Sequence, residues 1–320
     1  MKKVLIIGGA GFFGYHLINK LLKYNYIIDV VDNLAKIKKK DNAINQLIKN
    51  KKVNFFKLDL TKISNLKKFS KNYNYIFNFA AILGVEKVIN NSYSVLTDNL
   101  QIHINSLKIL ENNKNAHYFF TSTSEVYAGS LENKLLKFPT KEDNILALQD
   151  LNNKRSSYML SKIYCEALCN HLNKKITILR PHNIYGPRMG LSHVIPQIFK
   201  KFISNRKKFI AFSPTHKRTF CYINDFIEFI FILMNKNDKK KFTTFNVGNP
   251  NEEILIKDLV HNIGKILNIK KKIIWKDDNH DSPKKRKPSI KKLINLTGYK
   301  PKYNLENGLE LTLEWYRKYE

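Results

Sequence analysis

The first half of the chain alternates short apolar runs with longer stretches whose apolar residues recur at helical spacing. The first run ends at Gly8, and the amphipathic segment 15–22 that follows predicts a helix. The same pattern predicts strands at 3–7, 27–31, 53–58, 75–79, 118–122 and 176–180. Strands separated by helices in this way are typical of a parallel, doubly wound sheet.

After Arg180 the pattern becomes irregular, with turn signals at Gly186-Pro187, Ser213-Pro214 and Gly248-Asn249-Pro250. We therefore predict an α/β fold: a Rossmann-type doubly wound parallel sheet with a smaller C-terminal α/β lobe. Residues 1–180 are assigned to the Rossmann domain. Residues 181–320 are assigned mainly to the smaller lobe, with some segments returning to the first domain.

The charge balance raises the question of a nucleic-acid partner. The chain has 320 residues, 43% hydrophobic, and a formal net charge of +30. Its lysines are spread in short clusters such as Lys270-Lys271-Lys272, which favours a solvated basic surface over a nucleic-acid site. A non-enzymatic protein that senses NAD or binds nucleic acid stays the alternative from a different class.

Three cysteines form no metal-ligand pattern, so we predict no metal site. The apolar stretch 226–234 is too short to span a bilayer, and the N-terminal apolar run is too short for a signal peptide. These features predict a cytoplasmic protein.

A glycine-rich loop stands between the first predicted strand and helix. Glycines permit a tight turn and let backbone N–H groups approach a pyrophosphate at the helix N-terminus. Asp32 ends the next strand, where a carboxylate binds an adenosine ribose and repels a 2′-phosphate. NAD is therefore favoured, and the nearby Lys36 and Lys38 keep NADP as the alternative. The predicted cofactor residues here are Gly8, Gly11, Phe12, Phe13, Gly14, Asp32 and Asn33.

Tyr158 and Lys162 stand four residues apart, downstream of a Ser/Thr-rich strand end that contains Thr123. On a helix that spacing places the phenol and the ammonium on one face. A nearby cation favours the phenolate, so Tyr158 could act as a base near neutral pH. By itself such a pair more often marks a solvated helix face.

The glycine loop, the Ser/Thr strand end and the Tyr-x-x-x-Lys pair together resemble the extended short-chain dehydrogenase/reductase family, which contains nucleotide-sugar epimerases, dehydratases and decarboxylases. The resemblance covers nearly the whole chain and implies that the C-terminal lobe binds a nucleotide sugar. It also implies that Asn183, in the signature 180–188, contacts the substrate diphosphate. Further cofactor contacts implied by the resemblance are Asp59, Leu60, Ala80, Ala81 and Asn99, with Tyr158 and Lys162 at the nicotinamide ribose.

The family's chemistry implies roles for three side chains. Tyr158 takes a proton from a sugar hydroxyl while a hydride leaves the same carbon for NAD. Lys162 lowers the pKa of the tyrosine, and Thr123 orients the reacting oxygen. The transient 4-ketone acidifies a neighbouring C–H bond or labilises a carboxylate β to it.

The residues after Thr123 discriminate among reactions. Dehydratases of the family have Asp-Glu there, whereas this chain has Ser124-Glu125, and serine is a poor acid. Thr-Ser-Glu resembles the UDP-glucuronate decarboxylases, and Arg155 also matches an arginine of those enzymes. Glu125 is therefore a predicted catalytic residue.

Arginines supply the predicted substrate contacts. Arg218 resembles the arginine that handles the sugar carboxylate in the decarboxylases, and its alternative role is to bind the diphosphate. The basic run 284–287 resembles the C-terminal arginine segment of the decarboxylases and epimerases, which implies that Arg286 grips the diphosphate; the alternative is a solvated charge run. The predicted substrate residues are Arg155, Asn183, Arg188, Arg218 and Arg286, with Arg218 also catalytic.

Some positions depart from the decarboxylase pattern. Ala128, the segment 81–85 and Pro181-His182 all differ from it, so a nucleotide-sugar 4-epimerase stays open beside the decarboxylase. The helices near 98–111 and 157–172 match those of the family's dimer interface. The resemblance therefore implies a homodimer, with a UDP-linked sugar as substrate.

Overall fold

The computed structural model describes residues 1–37, 41–69, 71–236, 241–277 and 283–319. They form two compact units. The first comprises 1–126, 148–180 and 230–245, and the second comprises 127–147, 181–229 and 246–320. Within the described ranges, none of the helices has both the length and the apolar character that crossing a membrane requires.

The strands, in chain order, are β1 (Lys2–Ile7), β2 (Tyr26–Asp32), β3 (Val53–Lys57), β4 (Tyr75–Asn78), β5 (His117–Thr121), β6 (Ile176–Pro181), β7 (Ile184–Tyr185), β8 (Lys208–Phe212), β9 (Lys217–Thr219), β10 (Cys221–Tyr222), β11 (Phe242–Val247), β12 (Glu253–Leu255), β13 (Lys272–Lys276) and β14 (Lys285–Arg286). The helices are α1 (Phe12–Leu21), α2 (Asn42–Ile48), α3 (Val85–Asn90), α4 (Ser92–Glu111), α5 (Ala128–Glu132), α6 (Ser156–His171), α7 (Val194–Ile203), α8 (Ile223–Asn235), α9 (Ile256–Leu267), α10 (Lys291–Thr297) and α11 (Leu305–Tyr319). Short 3-10 turns lie at Ile63–Lys68 and Ser124–Tyr127.

The first unit is built on a seven-stranded sheet of order β11-β6-β5-β4-β1-β2-β3. The pairs from β6 to β3 are parallel. Parallel strands covered on both faces are buried throughout, which explains their nearly continuous apolar sequences. One core cluster joins strand residues such as Leu5, Ile76 and Phe120 to Leu110 of α4 and Cys169 of α6.

The structure confirms the predicted fold class and all six predicted strands, with small shifts at their ends. The pattern did not reveal β11, which joins the sheet at its edge beside β6. Its threonines interrupt the apolar run that marks the interior strands, so its sequence lacks their signal. All three cysteines are buried free thiols.

The second unit holds small sheets of two or three strands: β10-β7, β12-β9-β14 and β13-β8. In the three-stranded sheet β12 runs antiparallel to β9, and β14 runs parallel to it. Asn246 ties distant segments of this unit together, because it accepts from the Tyr127 hydroxyl at 2.8 Å and donates to the Thr140 carbonyl at 2.9 Å.

Candidate active site

The glycine loop brings the start of α1 close to the end of β4. Gly8 has a φ of +78°, and a Cβ on it would lie 2.7 Å from the Ala80 nitrogen. A Cβ on Gly14 would lie 2.5 Å from the Gly9 Cα. Both positions therefore require glycine. Helix α1 begins after Gly11 without a side-chain cap, so its first N–H groups are available to an anion.

The rings beside the loop pack on each other: Phe12 and Phe13 have centroids 5.2 Å apart, and Phe13 meets Phe79 edge-on at 6.0 Å. These contacts fix the direction in which α1 leaves the glycine loop. Both phenylalanines are partly exposed at the start of the helix, where the sequence placed them.

Asp32 lies directly beside the glycine loop. Its carboxylate accepts hydrogen bonds from the Ala10 nitrogen at 3.1 Å and the Leu34 nitrogen at 2.8 Å. Burial raises the pKa of this carboxyl, and the two backbone hydrogen bonds oppose that shift. Asn33 accepts from the Ala35 nitrogen at 3.0 Å, which shapes the turn after β2.

Lys36 follows this turn and reaches the end of β4, where its Nζ donates to the Ala81 carbonyl at 2.7 Å. Lys38 lies outside the described residues. From the sequence, Lys36 bears only on the choice between NAD and NADP. Its hydrogen bond to Ala81 depends on the order of the strands in the sheet, which the sequence pattern does not show.

Asp59 and Leu60 follow β3. The Asp59 carboxylate accepts from the Thr61 nitrogen and hydroxyl at 2.9 and 2.8 Å, so it orders its own turn. The Asn105 side chain of α4 donates to the Leu60 carbonyl at 2.7 Å. The turn is thereby held against the helix that follows β4.

Asn99 of α4 clamps the backbone beyond β4. Its side chain accepts from the Ile82 nitrogen at 2.7 Å and donates to the Ile82 carbonyl at 3.1 Å. Ala80 and Ala81 immediately precede this clamp, and the small Ala80 is where Gly8 makes its close approach. The glycine cradle, the uncapped start of α1 and Asp32 together fit the pyrophosphate and ribose of a dinucleotide.

Thr123, Tyr158 and Lys162 come together between the end of β5 and helix α6. Lys162 is 4% exposed, and its Nζ donates to the Thr121 carbonyl at 2.8 Å. The same Nζ lies 5.9 Å from the centroid of the Tyr158 ring. The Thr123 hydroxyl accepts from the Glu125 nitrogen at 3.2 Å and hydrogen-bonds the Tyr158 phenol.

The ionisation of this cluster differs from the expectation that Lys162 lowers the pKa of Tyr158. Burial raises the pKa of the Tyr158 phenol, the Glu125 carboxylate raises it further, and the hydrogen bond from Thr123 opposes both. Burial also lowers the pKa of Lys162 to about 8. Lys162 is directed at the Thr121 carbonyl, so its charge is not focused on the phenol oxygen.

Sequence analysis missed a buried network directly behind the cluster. The Ser122 hydroxyl donates to Glu166 at 2.5 Å, and Glu166 forms an ion pair with Arg180 at 2.6 Å. Glu166 stands one helical turn after Lys162, a spacing that could have signalled a shared face.

Arg155, at the start of α6, is half-buried in the same unit. Its backbone nitrogen donates to the Asn153 side chain at 3.0 Å, which orders the turn into the helix. Arg155 lies three residues, or about one helical turn, before Tyr158.

The other predicted substrate residues belong to the second unit. Asn183 has a φ of +43°, and its side chain donates to the Thr219 carbonyl at 2.9 Å. Arg188 has a φ of +68°. Left-handed backbone is uncommon outside glycine, so the signature segment 180–188 is held in an unusual conformation by its surroundings.

Arg218 and Arg286 are paired across the parallel strands β9 and β14. The Arg218 Nη1 donates to the Lys217 carbonyl at 2.8 Å. Paired residues project from the same face of a sheet, so the structure brings together two predicted arginines that are far apart in sequence.

A family model described as NAD dependent epimerase/dehydratase family matches residues 4–248. The chain is 28% identical over its full length to the UDP-N-acetyl-alpha-D-glucosaminuronate decarboxylase of Bacillus cytotoxicus, of which 99% is covered. It is 27% identical to UDP-glucuronic acid decarboxylase 1 of Xenopus tropicalis, over 99% of this chain and 72% of that protein. The UDP-glucuronic acid 4-epimerase of Bacillus cereus, with UDP-glucuronic acid and NAD, has the same fold at a TM-score of 0.85 and 24% identity, covering 99% of this chain and 100% of that one.

Proposed function

The chain belongs to the NAD dependent epimerase/dehydratase family, and on that premise we propose that it decarboxylates a nucleotide-linked uronic acid through a transient 4-keto sugar. The cofactor is NAD, and the substrate class is a UDP-linked sugar acid. The UDP-sugar-acid decarboxylases among its relatives support this choice over an epimerase of neutral hexoses.

One observation carries the proposal: Glu125 lies close enough to Tyr158 for its carboxylate to raise the pKa of the phenol. A carboxylate at this place can act on the carbon next to the one that Tyr158 serves. Ser124, which is buried, stands where a dehydratase would need an acid for the departing hydroxyl. A serine hydroxyl cannot protonate that group at neutral pH, so elimination of water is disfavoured.

The steps follow from the chemistry of a β-keto acid. In the complex, Tyr158 acts as the phenolate and accepts the proton of the sugar 4-hydroxyl, and Thr123 orients that oxygen by a hydrogen bond. When bound, NAD supplies the acceptor for the C4 hydride and later returns it. Once C4 is a ketone, the bond between C5 and the carboxyl carbon breaks, its electron pair forms the C4–C5 enolate, and CO2 leaves.

The enolate then takes a proton at C5, which we propose Glu125 delivers after its carboxylate has taken that proton up from solvent. Thr123 and the protonated Tyr158 stabilise the enolate oxygen by hydrogen bonds. Return of the hydride to C4 and of the proton to O4 restores the sugar, so no net redox change occurs. Lys162 keeps a positive charge in the site throughout.

Recognition of the anionic substrate is assigned to the arginines. We assign the diphosphate to Arg286 and Asn183, with Arg188 nearby in the same signature segment. Arg218 is assigned to the sugar carboxylate, and Arg155 to the substrate at the start of α6. A planar guanidinium matches a carboxylate or phosphate through two parallel hydrogen bonds, which a lysine cannot supply.

The proposal is tested by mass spectrometry of the nucleotide sugar after incubation with UDP-glucuronate, UDP-N-acetylglucosaminuronate or UDP-glucose. We expect CO2 loss from at least one of the two acids and no change in UDP-glucose. Tyr158→Phe should abolish turnover and still bind NAD, whereas Tyr319→Phe, at an exposed position on α11, should behave as wild type. Inversion at C4 without CO2 loss would overturn decarboxylation and establish a 4-epimerase.

We further propose that the protein works as a homodimer through α4 and α6. These helices pack against each other and expose Tyr93 and Tyr164, at 78% and 53% of their surfaces. Exposed aromatic residues are common in such interfaces. Sedimentation velocity should give a dimer, and a monomer at micromolar concentration would refute the proposal.

A further inference from the structure

Helix α6 contacts the end of β5 at two successive residues. The Lys162 Nζ donates to the Thr121 carbonyl at 2.8 Å, and the Ser122 hydroxyl donates to the Glu166 Oε1 at 2.5 Å. Lys162 and Glu166 are one turn apart, so they lie on the same face of the helix. The next residue of the strand end is Thr123. The face that carries the lysine therefore also holds the segment that presents the threonine.

Arg180 holds the Glu166 carboxylate in a fixed orientation. Its Nε donates to Oε1 at 3.0 Å and its Nη2 donates to Oε2 at 2.6 Å. Ser122, Glu166 and Arg180 are 2%, 7% and 5% exposed, so water competes little for these bonds. Two parallel charge-assisted bonds fix the plane of the carboxylate as well as its position. Arg180 lies on β6, which pairs with β5 in the sheet.

We propose that Glu166 is a positioning residue for the reaction, which fixes the Thr123 hydroxyl through Ser122 and places an anion one helical turn from Lys162. This inference rests on the proposed function, because it assigns to Glu166 the support of that same site. Glu166 acts through Ser122 and Lys162 and does not touch the substrate.

The geometric part follows from how steeply catalysis depends on placement. A reacting group displaced by about 1 Å can lose about 100-fold in rate. Without the Ser122 hydroxyl, the strand end keeps its backbone bond to Lys162 and loses its side-chain bond to Glu166. The Thr123 hydroxyl then gains freedom relative to Tyr158, and we expect about a tenfold loss in kcat.

The electrostatic part concerns the groups around Lys162. The pKa of Lys162 is lowered to about 8, mainly by burial, and the Lys36 ammonium contributes in the same direction. On its own helix, Glu166 opposes this shift. The Cys165 thiol is uncharged at neutral pH because burial raises its pKa to about 12, and burial likewise raises the pKa of Cys169. His103 of α4 is uncharged as well, since burial lowers its pKa to about 3.

The experiment compares Ser122→Ala and Glu166→Gln with the control Ser106→Ala. Ser106 is equally buried and hydrogen-bonded, with its hydroxyl 2.6 Å from that of Tyr118. For each variant, kcat, KM, bound NAD and the pH profile of kcat would be measured. Ser122→Ala should lower kcat about tenfold with KM and bound NAD unchanged, and Ser106→Ala should leave kcat within twofold.

Glu166→Gln should move the alkaline limb of the pH profile to lower pH, since removing the anion lowers the pKa of Lys162. Ser122→Ala keeps that charge and should leave the limb in place.

Equal kcat in wild type and Ser122→Ala, or an equal loss in Ser106→Ala, would overturn the geometric part. If the alkaline limb of the pH profile of kcat lies at the same pH in Glu166→Gln as in wild type, the electrostatic part is overturned. An inactive wild type would instead refute the proposed function. If Glu166→Gln fails to fold, Ser122→Ala still decides the geometric part.

Discussion

Arg218 and Arg286 occupy paired positions on the neighbouring parallel strands β9 and β14. Their side chains project from the same face of the sheet, so two positive charges lie side by side. Like charges at paired positions destabilise a sheet, whereas a bound anion between them reverses that effect. The paired guanidinium groups are therefore suited to binding an anion.

Arg286→Met should weaken the binding of both UDP and UDP-glucuronate, whereas Arg218→Met should weaken the binding of UDP-glucuronate alone, because we assign the diphosphate to Arg286 and the sugar carboxylate to Arg218. We expect at least a tenfold rise in Kd, because each guanidinium supplies charge-assisted bonds worth about 1.5–3 kcal/mol. Isothermal titration calorimetry with UDP and with UDP-glucuronate, in a Tyr158→Phe background that prevents turnover, would measure binding, and urea unfolding of the same samples would measure stability.

Lys217 supplies the matched control, because it lies on the same strand and its side chain leaves the opposite face of the sheet. Lys217→Met should keep the wild-type Kd for UDP. A loss of stability in Arg286→Met with unchanged UDP affinity, or in Arg218→Met with unchanged UDP-glucuronate affinity, would contradict the binding role and indicate a structural one.

Without cofactor, Tyr158 should remain a neutral phenol at pH 9. Burial and the Glu125 carboxylate both raise the pKa of the phenol, so the protonated form persists across the neutral range. The ultraviolet difference spectrum between wild type and Tyr158→Phe should therefore show no phenolate at pH 9. Glu125→Gln removes the nearby anion and should lower the pH at which phenolate appears. A phenolate signal at pH 7 in the cofactor-free protein would show that the site alone activates the base.

Lys36→Met should weaken NAD binding about tenfold, or about 1.4 kcal/mol. The Lys36 side chain runs from the turn after β2 to the Ala81 carbonyl after β4. Strand β1 lies between β2 and β4 in the sheet. The Lys36 side chain therefore passes over the end of β1, where the glycine loop would hold a pyrophosphate. Fluorescence titration of cofactor-free protein with NAD measures the effect. Lys23→Met, an exposed change just after α1, should leave the Kd unchanged, and an equal Kd in Lys36→Met would refute the contact.

Acidification should destabilise the first unit through His103. The pKa of this histidine is lowered to about 3, mainly by burial, and the Lys162 cation contributes in the same direction. An unfolded histidine has a pKa of about 6.5, so below that pH the unfolded state binds a proton that the native state rejects. The stability that depends on the neutral ring is complete above pH 6.5, and about 2 kcal/mol of it is lost between pH 6.5 and pH 5.

Urea unfolding at pH 7 and pH 5 would measure this loss. His103→Gln should reduce the difference between the two pH values, whereas His171→Gln, at an exposed position, should not. An identical pH dependence in wild type and His103→Gln would assign the acid sensitivity to other groups, such as the buried His117.

The sequence by itself determined the parts of the site that depend on local spacing. Glycines between strand and helix predicted the cradle around Gly8 and Gly14, and a four-residue interval predicted that Tyr158 and Lys162 share a helix face. Alternating apolar runs predicted six strands of the sheet, because periodicity is a local property of the chain.

Only the tertiary structure decided which distant side chains meet and what electrostatic environment they create. It paired Arg218 with Arg286 on neighbouring strands and joined Ser122, Glu166 and Arg180 behind the cluster of Thr123, Tyr158 and Lys162. It also reversed the expected direction of the Tyr158 pKa. Burial and the orientation of Lys162 are set by packing among segments far apart in sequence, so no spacing within the chain could reveal them.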